Sequence, residues 1–150
     1  MRTTVHRQIF TLDNLMLRGR ILVNRCCMRH HNEETVDHLL LHCPVAHSLW
    51  VYMFQIFGIQ WVMPGSVESL VYCWSFGLGK FNSDIWNMVP SYLMWIVWTE
   101  RNWNSFEDTE KSLVQLQVLC RKTLFDWSSC WSFSDCSTIL EFILSLSIAS

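Results

Sequence analysis

Four side chains of the kinds that bind structural zinc lie close together near the start of an otherwise apolar chain. All fall between positions 24 and 44, and they are Cys26, Cys27, His38 and Cys43. Structural zinc takes four thiolate or imidazole ligands in a tetrahedron. Because the bound metal itself supplies folding free energy, such a site holds together a small unit with little core of its own. This cluster constrains the fold more than any other feature of the sequence.

The second half of the cluster is predicted to lie on a short helix. Thr35 is a suitable N-cap for this helix. Pro44 interrupts it just beyond Cys43, because proline lacks a backbone donor and crowds the preceding turn. His38 inside the helix and Cys43 past its end are then able to point toward one spot.

The first half of the cluster departs from the expected spacing. Two ligands on a tight turn, with two residues between them, would complete the tetrahedron. Cys26 fits the first place, but the second is occupied by Arg29, which has no atom able to bind a metal. The alternatives within about one turn are Cys27, His30 and His31. Two interpretations stay open: a zinc site with a substituted fourth ligand, or buried thiols and surface histidines that hold no metal.

The rest of the chain is predicted to be helical. Apolar residues make up 51% of the 150 residues and charged residues 16%, which argues against disorder. The chain is long enough for one domain, or for a small module with a helical extension. Apolar side chains recur at helical spacing in four segments, which span 49–57, 66–74, 83–97 and 109–131.

Local signals refine this helical prediction. Ser66 is predicted to begin the second helix, Pro90 to bend or break the third, and Thr109 to cap the fourth. The β-prone residues 21–23 lead into Cys26 as one arm of a small hairpin would. The predicted fold class is therefore mainly α, with a small knuckle-like β-hairpin and a short helix at the cluster, followed by several amphipathic helices.

Basic residues are concentrated at the start of the chain although the net charge is −2. The first 31 residues hold six arginines and one acidic residue, Asp13. Such a patch favours a phosphate-rich partner, although a solvated basic face is the alternative. We predict Arg18, Arg20 and Arg25 as nucleic-acid contacts, because arginines contact phosphates without reading sequence.

The cysteines and the apolar runs indicate the compartment. Seven irregularly spaced cysteines without a secretory leader favour a reduced intracellular setting, nucleus or cytoplasm, over secretion. The longest apolar run, residues 85–98, contains Asn87, Pro90 and Ser91. It is shorter than the roughly 20 residues that a spanning helix needs, so no membrane association is expected.

Several of these positions together resemble a known family. The sequence has Arg18-Gly19, then Cys26, then His38-Leu39-Leu40 with Cys43, and then Trp50. This order resembles the reverse-transcriptase zinc-binding domain near the C-terminus of plant LINE-type non-LTR retrotransposon polyproteins. The family pattern has a second cysteine where this chain has Arg29. Residues 95–102 also resemble the helical region that commonly follows the zinc module.

The resemblance implies a domain division and a function. Residues 8–57 would be the zinc-binding module, 58–132 a helical extension, and 133–150 a tail that is either ordered or disordered. The implied function is a non-catalytic module that binds zinc and single-stranded RNA or DNA, packed against other parts of a retroelement polyprotein. The implied ligands are Cys26, His38 and Cys43, with Cys27 or His30 in the place of the missing cysteine.

Enzymatic activity is not expected, and two other functions stay open. The sequence contains no Tyr-x-Asp-Asp polymerase motif and no set of spaced acidic residues for two-metal nuclease chemistry. The nine tryptophans and the apolar helices also suit a second function, a helical protein–protein interaction module. The remaining alternative is a non-functional remnant of a retroelement that has lost its zinc.

Overall fold

Helices make up most of the part of the chain that the structure describes. The structure, a computed structural model, covers residues 26, 28, 33–76, 84–107, 109–132 and 135–148. Those ranges contain no strand, so the mainly α prediction is confirmed, whereas the predicted hairpin arm at 21–23 lies outside them. The elements are a π-helical turn (His38–His42) and helices α1 (Pro44–Ile56), α2 (Val67–Phe76), α3 (Asp84–Phe106), α4 (Leu113–Cys130) and α5 (Ile139–Ile148).

The helix that carries His38 begins where the sequence predicted, whereas α1 begins at Pro44, five residues before the predicted segment 49–57. The Thr35 hydroxyl accepts a hydrogen bond from the His38 backbone N–H at 3.0 Å. Pro44 occupies the first turn of α1, where a missing backbone donor costs nothing. The helix ends at Ile56, two residues before Gly58, whose φ of 66° suits glycine. The Ile59 N–H donates to the Phe54 carbonyl at 2.8 Å.

The start of α2 is confirmed, and the predicted start of α4 is wrong by three residues. Ser66 caps α2 by accepting from the Ser69 N–H at 3.1 Å. Ser112, not Thr109, caps α4, and its hydroxyl accepts from the Gln115 N–H at 3.3 Å. The Gln115 side chain accepts in return from the Ser112 N–H at 2.8 Å. This reciprocal capping box satisfies two backbone donors, so it determines the helix start.

α3 runs without a break through Pro90, so of the predicted bend or break the break does not occur. A proline inside a helix costs about 3 kcal/mol. Trp86, Val89 and Leu93 on either side of it are almost completely buried. Burying side chains of this size contributes about 1.5–3 kcal/mol each, so packing outweighs the lost hydrogen bond.

The core lies where the π-helical turn, α1, α3 and α4 meet. α1 contacts the π-helical turn, α3, α4 and α5, so it is central to the packing. α5 forms within the segment that the sequence left ambiguous, and its Phe142 and Leu146 are buried. The domain boundaries at 57 and 132 stay a prediction. Within the described residues, no helix is both long enough and apolar enough to cross a membrane.

One part of this core, which we term the aromatic cluster, consists of ring side chains from α1, α2, α3 and the α1–α2 connector. Trp74 and Trp86 stack with their ring centroids 4.3 Å apart and 18° between planes. Trp50 meets Trp74 edge to face at 6.0 Å. Such pairs contribute about 0.5–1.5 kcal/mol beyond the area they bury. The cluster comprises Trp50, Phe54, Phe57, Trp61, Trp74 and Trp86.

Candidate metal centre

Three of the predicted zinc ligands converge on one point. The sulfurs of Cys26 and Cys43 and a ring nitrogen of His38 all lie within 4.8 Å of one another. The two sulfurs are 3.8 Å apart. Two thiolates bound tetrahedrally to zinc at about 2.3 Å would be separated by roughly 3.8 Å. The spacing therefore fits a shared metal ion and is much longer than the ~2.05 Å of a disulfide. We call these three residues the metal cluster.

The surroundings of the metal cluster also fit a bound cation. Both sulfurs belong to residues that are fully buried. The His38 Nε2 atom is buried and has no hydrogen-bond partner. A buried polar atom left unsatisfied costs about 1–3 kcal/mol. Coordination to a metal would remove this cost, and it would also bring the imidazole into the ligand set.

The Cys26 thiol of the metal cluster is held protonated in the absence of a cation. The Cys43 side chain, followed by burial, raises the pKa of the Cys26 thiol well above its usual range. A bound metal ion reverses this balance, because a coordinated thiol is deprotonated outright. Zinc would thus displace thiol protons as it binds.

The π-helical turn sets the relative positions of His38 and Cys43. The Cys43 N–H donates to the His38 carbonyl at 2.6 Å, five residues back, which is the hydrogen bond of a π-helix. Residues 39–41 between them are buried leucines that anchor the turn in the core. The Trp50 indole N–H donates to the Leu40 carbonyl at 2.9 Å. Trp50 therefore fastens α1 to the segment that carries two of the ligands.

Polar residues beside His38 bind the connector between α1 and α2. The Asp37 carboxylate accepts from the Val67 N–H at 2.8 Å, at the start of α2. A His42 ring nitrogen lies 3.1 Å from the Gly65 carbonyl. Within the described residues, neither Asp37 nor His42 joins the metal cluster. Their contacts orient the π-helical turn from the side facing α2.

A buried ion pair, not anticipated from the sequence, holds the segment before the π-helical turn. Glu34 Oε1 accepts from Arg101 Nη2 at 2.8 Å and from Nε at 3.1 Å. Both side chains are almost completely buried, and the Arg101 guanidinium lies 5.5 Å from the Trp98 ring centroid. The only sign of this ion pair in the sequence is Arg101 itself, a single arginine within the tryptophan-rich stretch 95–103. Its partner lies 67 positions away, so spacing rules could not find it.

The other predicted site residues fall outside the described part of the chain. These include the alternative fourth ligands Cys27, His30 and His31, and the position of Arg29. The predicted nucleic-acid contacts Arg18, Arg20 and Arg25 do so as well. The identity of the fourth ligand and the basic surface therefore stay predictions.

Comparison with known proteins supports the metal assignment. The sequence model of a family described as zinc-binding in reverse transcriptase matches residues 1–50. The matched third of the chain contains all three members of the metal cluster and ends at Trp50. Searches of curated proteins and of solved structures gave no significant match. The first part of the chain is thus similar to a zinc-binding domain, and the structure supplies a cysteine–histidine–cysteine site suited to that ion.

Proposed function

We propose that this chain is a non-catalytic module whose zinc site organises a surface for single-stranded RNA or DNA. We further propose that it derives from the reverse-transcriptase polyprotein of a plant LINE-type retrotransposon and acts inside the cell. The observation that carries the proposal is the convergence of Cys26, His38 and Cys43. The match of residues 1–50 to a reverse-transcriptase zinc-binding family supports it.

The metal's role in this proposal is structural. Cys26, His38 and Cys43 would hold the ion, and Cys27 or His30 would supply the fourth ligand in place of Arg29. Zinc contributes charge and tetrahedral geometry, which tie the chain before Cys26 to the π-helical turn. Four protein ligands leave no open position for a substrate.

The proposed nucleic-acid contacts adjoin the metal cluster along the chain. Arg25 directly precedes Cys26, and Arg18 and Arg20 come shortly before. Consecutive Cα atoms are 3.80 Å apart, so anchoring Cys26 also restricts where Arg25 can reach. Arginines there would neutralise phosphates, and partly exposed tryptophans would stack on unpaired bases.

Elemental analysis tests the metal part of the proposal. We expect about one equivalent of zinc in protein purified without added metal. Arg29→Cys should restore a fourth thiolate, tighten zinc binding and raise the melting temperature. Arg121→Cys is the matched control, because Arg121 lies on α4 and is not part of the metal cluster. Absence of zinc from the parent chain, together with no gain in Arg29→Cys, would favour the non-functional remnant.

Salt dependence tests the nucleic-acid part. Binding to a labelled single-stranded oligonucleotide should weaken steeply between about 50 and 200 mM salt. Replacing Arg18, Arg20 and Arg25 with Ala should reduce binding and flatten this dependence. The control variant replaces Arg121 and Lys122, on α4, and should bind as the parent does. No binding at low salt, or a salt-independent signal, would refute this part while leaving the zinc site intact.

Exposed apolar side chains favour a second function, a protein–protein interaction module. Phe106, Trp131 and Leu140 are 76%, 67% and 72% exposed. Large apolar side chains exposed to this degree are available for contact with a partner. Sedimentation of the zinc-loaded chain provides the test. Self-association that Phe106→Ser weakens would support an interaction module, whereas a monodisperse monomer would count against it.

A further inference from the structure

A cavity of about 350 Å³ lies between α3 and α4, and none of its lining residues belongs to the metal cluster. Three of these residues are tryptophans: Trp95 and Trp103 from α3, and Trp127 from α4. Trp95 and Trp103 remain 49% and 45% exposed. The Trp95 and Trp127 ring centroids are 6.1 Å apart with 45° between planes. The two rings thus form adjacent tilted walls.

One wall of this cavity already holds an ammonium group. Lys111 Nζ lies 5.7 Å from the Trp103 ring centroid, within the range of a cation–π interaction. The same nitrogen donates to Glu100 Oε2 at 2.8 Å. The other Glu100 oxygen accepts from the Lys111 backbone N–H at 2.7 Å. Glu100 is almost completely buried. Both of its carboxylate oxygens accept hydrogen bonds from Lys111, and the Lys111 ammonium group neutralises the Glu100 charge.

Asp126 leaves the cavity with one charge that is not neutralised. The charged lining residues are Glu100, Lys111 and Asp126, so their formal sum is −1 + 1 − 1 = −1. Asp126 is exposed and makes no ion pair with the other described residues. A positively charged ligand would find here both a counter-ion and the negative faces of the indole rings.

We propose that this cavity binds an alkylammonium cation between the Trp95 and Trp127 rings, with Asp126 as its counter-ion. Aromatic walls around a cation are the usual means of recognising quaternary ammonium groups. A nucleotide is the competing occupant, because its base would also stack on tryptophan. Its phosphate, however, would meet the unneutralised Asp126 charge. Lys111, already paired with Glu100, is poorly placed to compensate.

The test compares three probes by their effect on the indole N–H signals in NMR spectra of the full ¹⁵N-labelled chain. The probes are choline, its uncharged isostere 3,3-dimethylbutanol, and adenosine monophosphate. Single Trp→Phe variants assign the signals of Trp95 and Trp127. We expect choline to shift these two signals saturably, and the uncharged isostere to bind about threefold to tenfold more weakly.

Matched variants separate charge from shape. Asp126→Asn should weaken choline binding about threefold or more and leave the binding of 3,3-dimethylbutanol unchanged. Glu110→Gln removes an exposed acidic group that does not line the cavity, and it should bind both probes as the parent does. Tighter binding of adenosine monophosphate would identify a nucleobase pocket instead. Equal affinity for choline and its isostere, or no shift with any probe, would overturn the proposal.

Discussion

The metal cluster and the aromatic cluster occupy neighbouring parts of the same core, but different physics holds each together. In the metal cluster, two buried sulfurs and an unsatisfied imidazole nitrogen converge, and a bound ion would hold them together. In the aromatic cluster, large rings such as Trp74 and Trp86 stack directly. Trp50 belongs to the aromatic cluster, and its indole N–H donates a hydrogen bond to the π-helical turn that contains His38 of the metal cluster.

This difference indicates that the short metal-binding segment is stabilised by the helices packed against it. A bound zinc ion would supply folding free energy to the metal cluster, so the arrangement of its three ligands is expected to depend on ligation. The helices behind them bury tryptophans, and burial of apolar surface operates whether or not metal is present. We therefore expect metal loss to disorder the ligand-bearing segment first, while α1, α3 and α4 remain associated.

The largest effect is expected from Cys43→Ser. Structural zinc supplies about 10–16 kcal/mol in small zinc modules, and losing one thiolate should forfeit several kcal/mol of that. Zinc content should fall well below one equivalent, and the unfolding free energy measured in zinc-buffered urea should drop accordingly. Cys130→Ser, at an exposed cysteine of α4, should change neither quantity. Unchanged zinc content in Cys43→Ser would mean that the metal, if bound, lies elsewhere.

The next largest effect is expected from Trp86→Ala in the aromatic cluster. Trp86 is almost completely buried, and removing a buried tryptophan costs about 3–5 kcal/mol. Urea unfolding should show this loss both with zinc and with a chelator, while zinc stoichiometry stays unchanged. Trp131→Ala, at an exposed tryptophan, should alter stability by no more than about 0.5 kcal/mol. Loss of zinc in Trp86→Ala would show that the two clusters do not fold separately.

A smaller effect is expected from Trp50→Phe, which tests the connection between the clusters. The substitution keeps an aromatic ring but removes the indole N–H that satisfies the Leu40 carbonyl. A buried acceptor left unsatisfied costs about 1–3 kcal/mol. The test is a double-mutant cycle made of Trp50→Phe, Cys43→Ser and the double variant, each unfolded in the presence of zinc. The change in unfolding free energy of the double variant should differ from the sum of the two single changes by more than about 0.5 kcal/mol. Strict additivity would mean that the two clusters are energetically independent.

Local signals in the sequence predicted much of this architecture. Thr35, Pro44 and Ser66 mark helix boundaries through their own backbone and hydroxyl chemistry, so these positions could be read without tertiary information. The grouping of Cys26, His38 and Cys43 followed from ligand type and spacing. What the sequence missed depends on partners far along the chain. Pro90 is accommodated by packing, and Glu34 is paired with Arg101, and neither outcome is encoded locally.

The smallest predicted effect concerns Cys120, a buried thiol that is not part of the metal cluster. Burial raises the pKa of Cys120 from 9 to about 12. Because the pKa of this thiol is higher in the folded state than in the unfolded state, the protonated thiol's contribution to the free energy of unfolding is complete below pH 9. It is lost as the pH rises from 9 toward 12, at up to about 1.4 kcal/mol per pH unit.

Cys120→Ala should destabilise the fold at pH 8, and this difference should shrink by roughly 1 kcal/mol at pH 10. Paired urea titrations in reducing buffer would measure it, with Cys130→Ala as the exposed-thiol control. A difference that stays constant between the two pH values would show that the Cys120 thiol ionises as readily in the fold as in the unfolded chain.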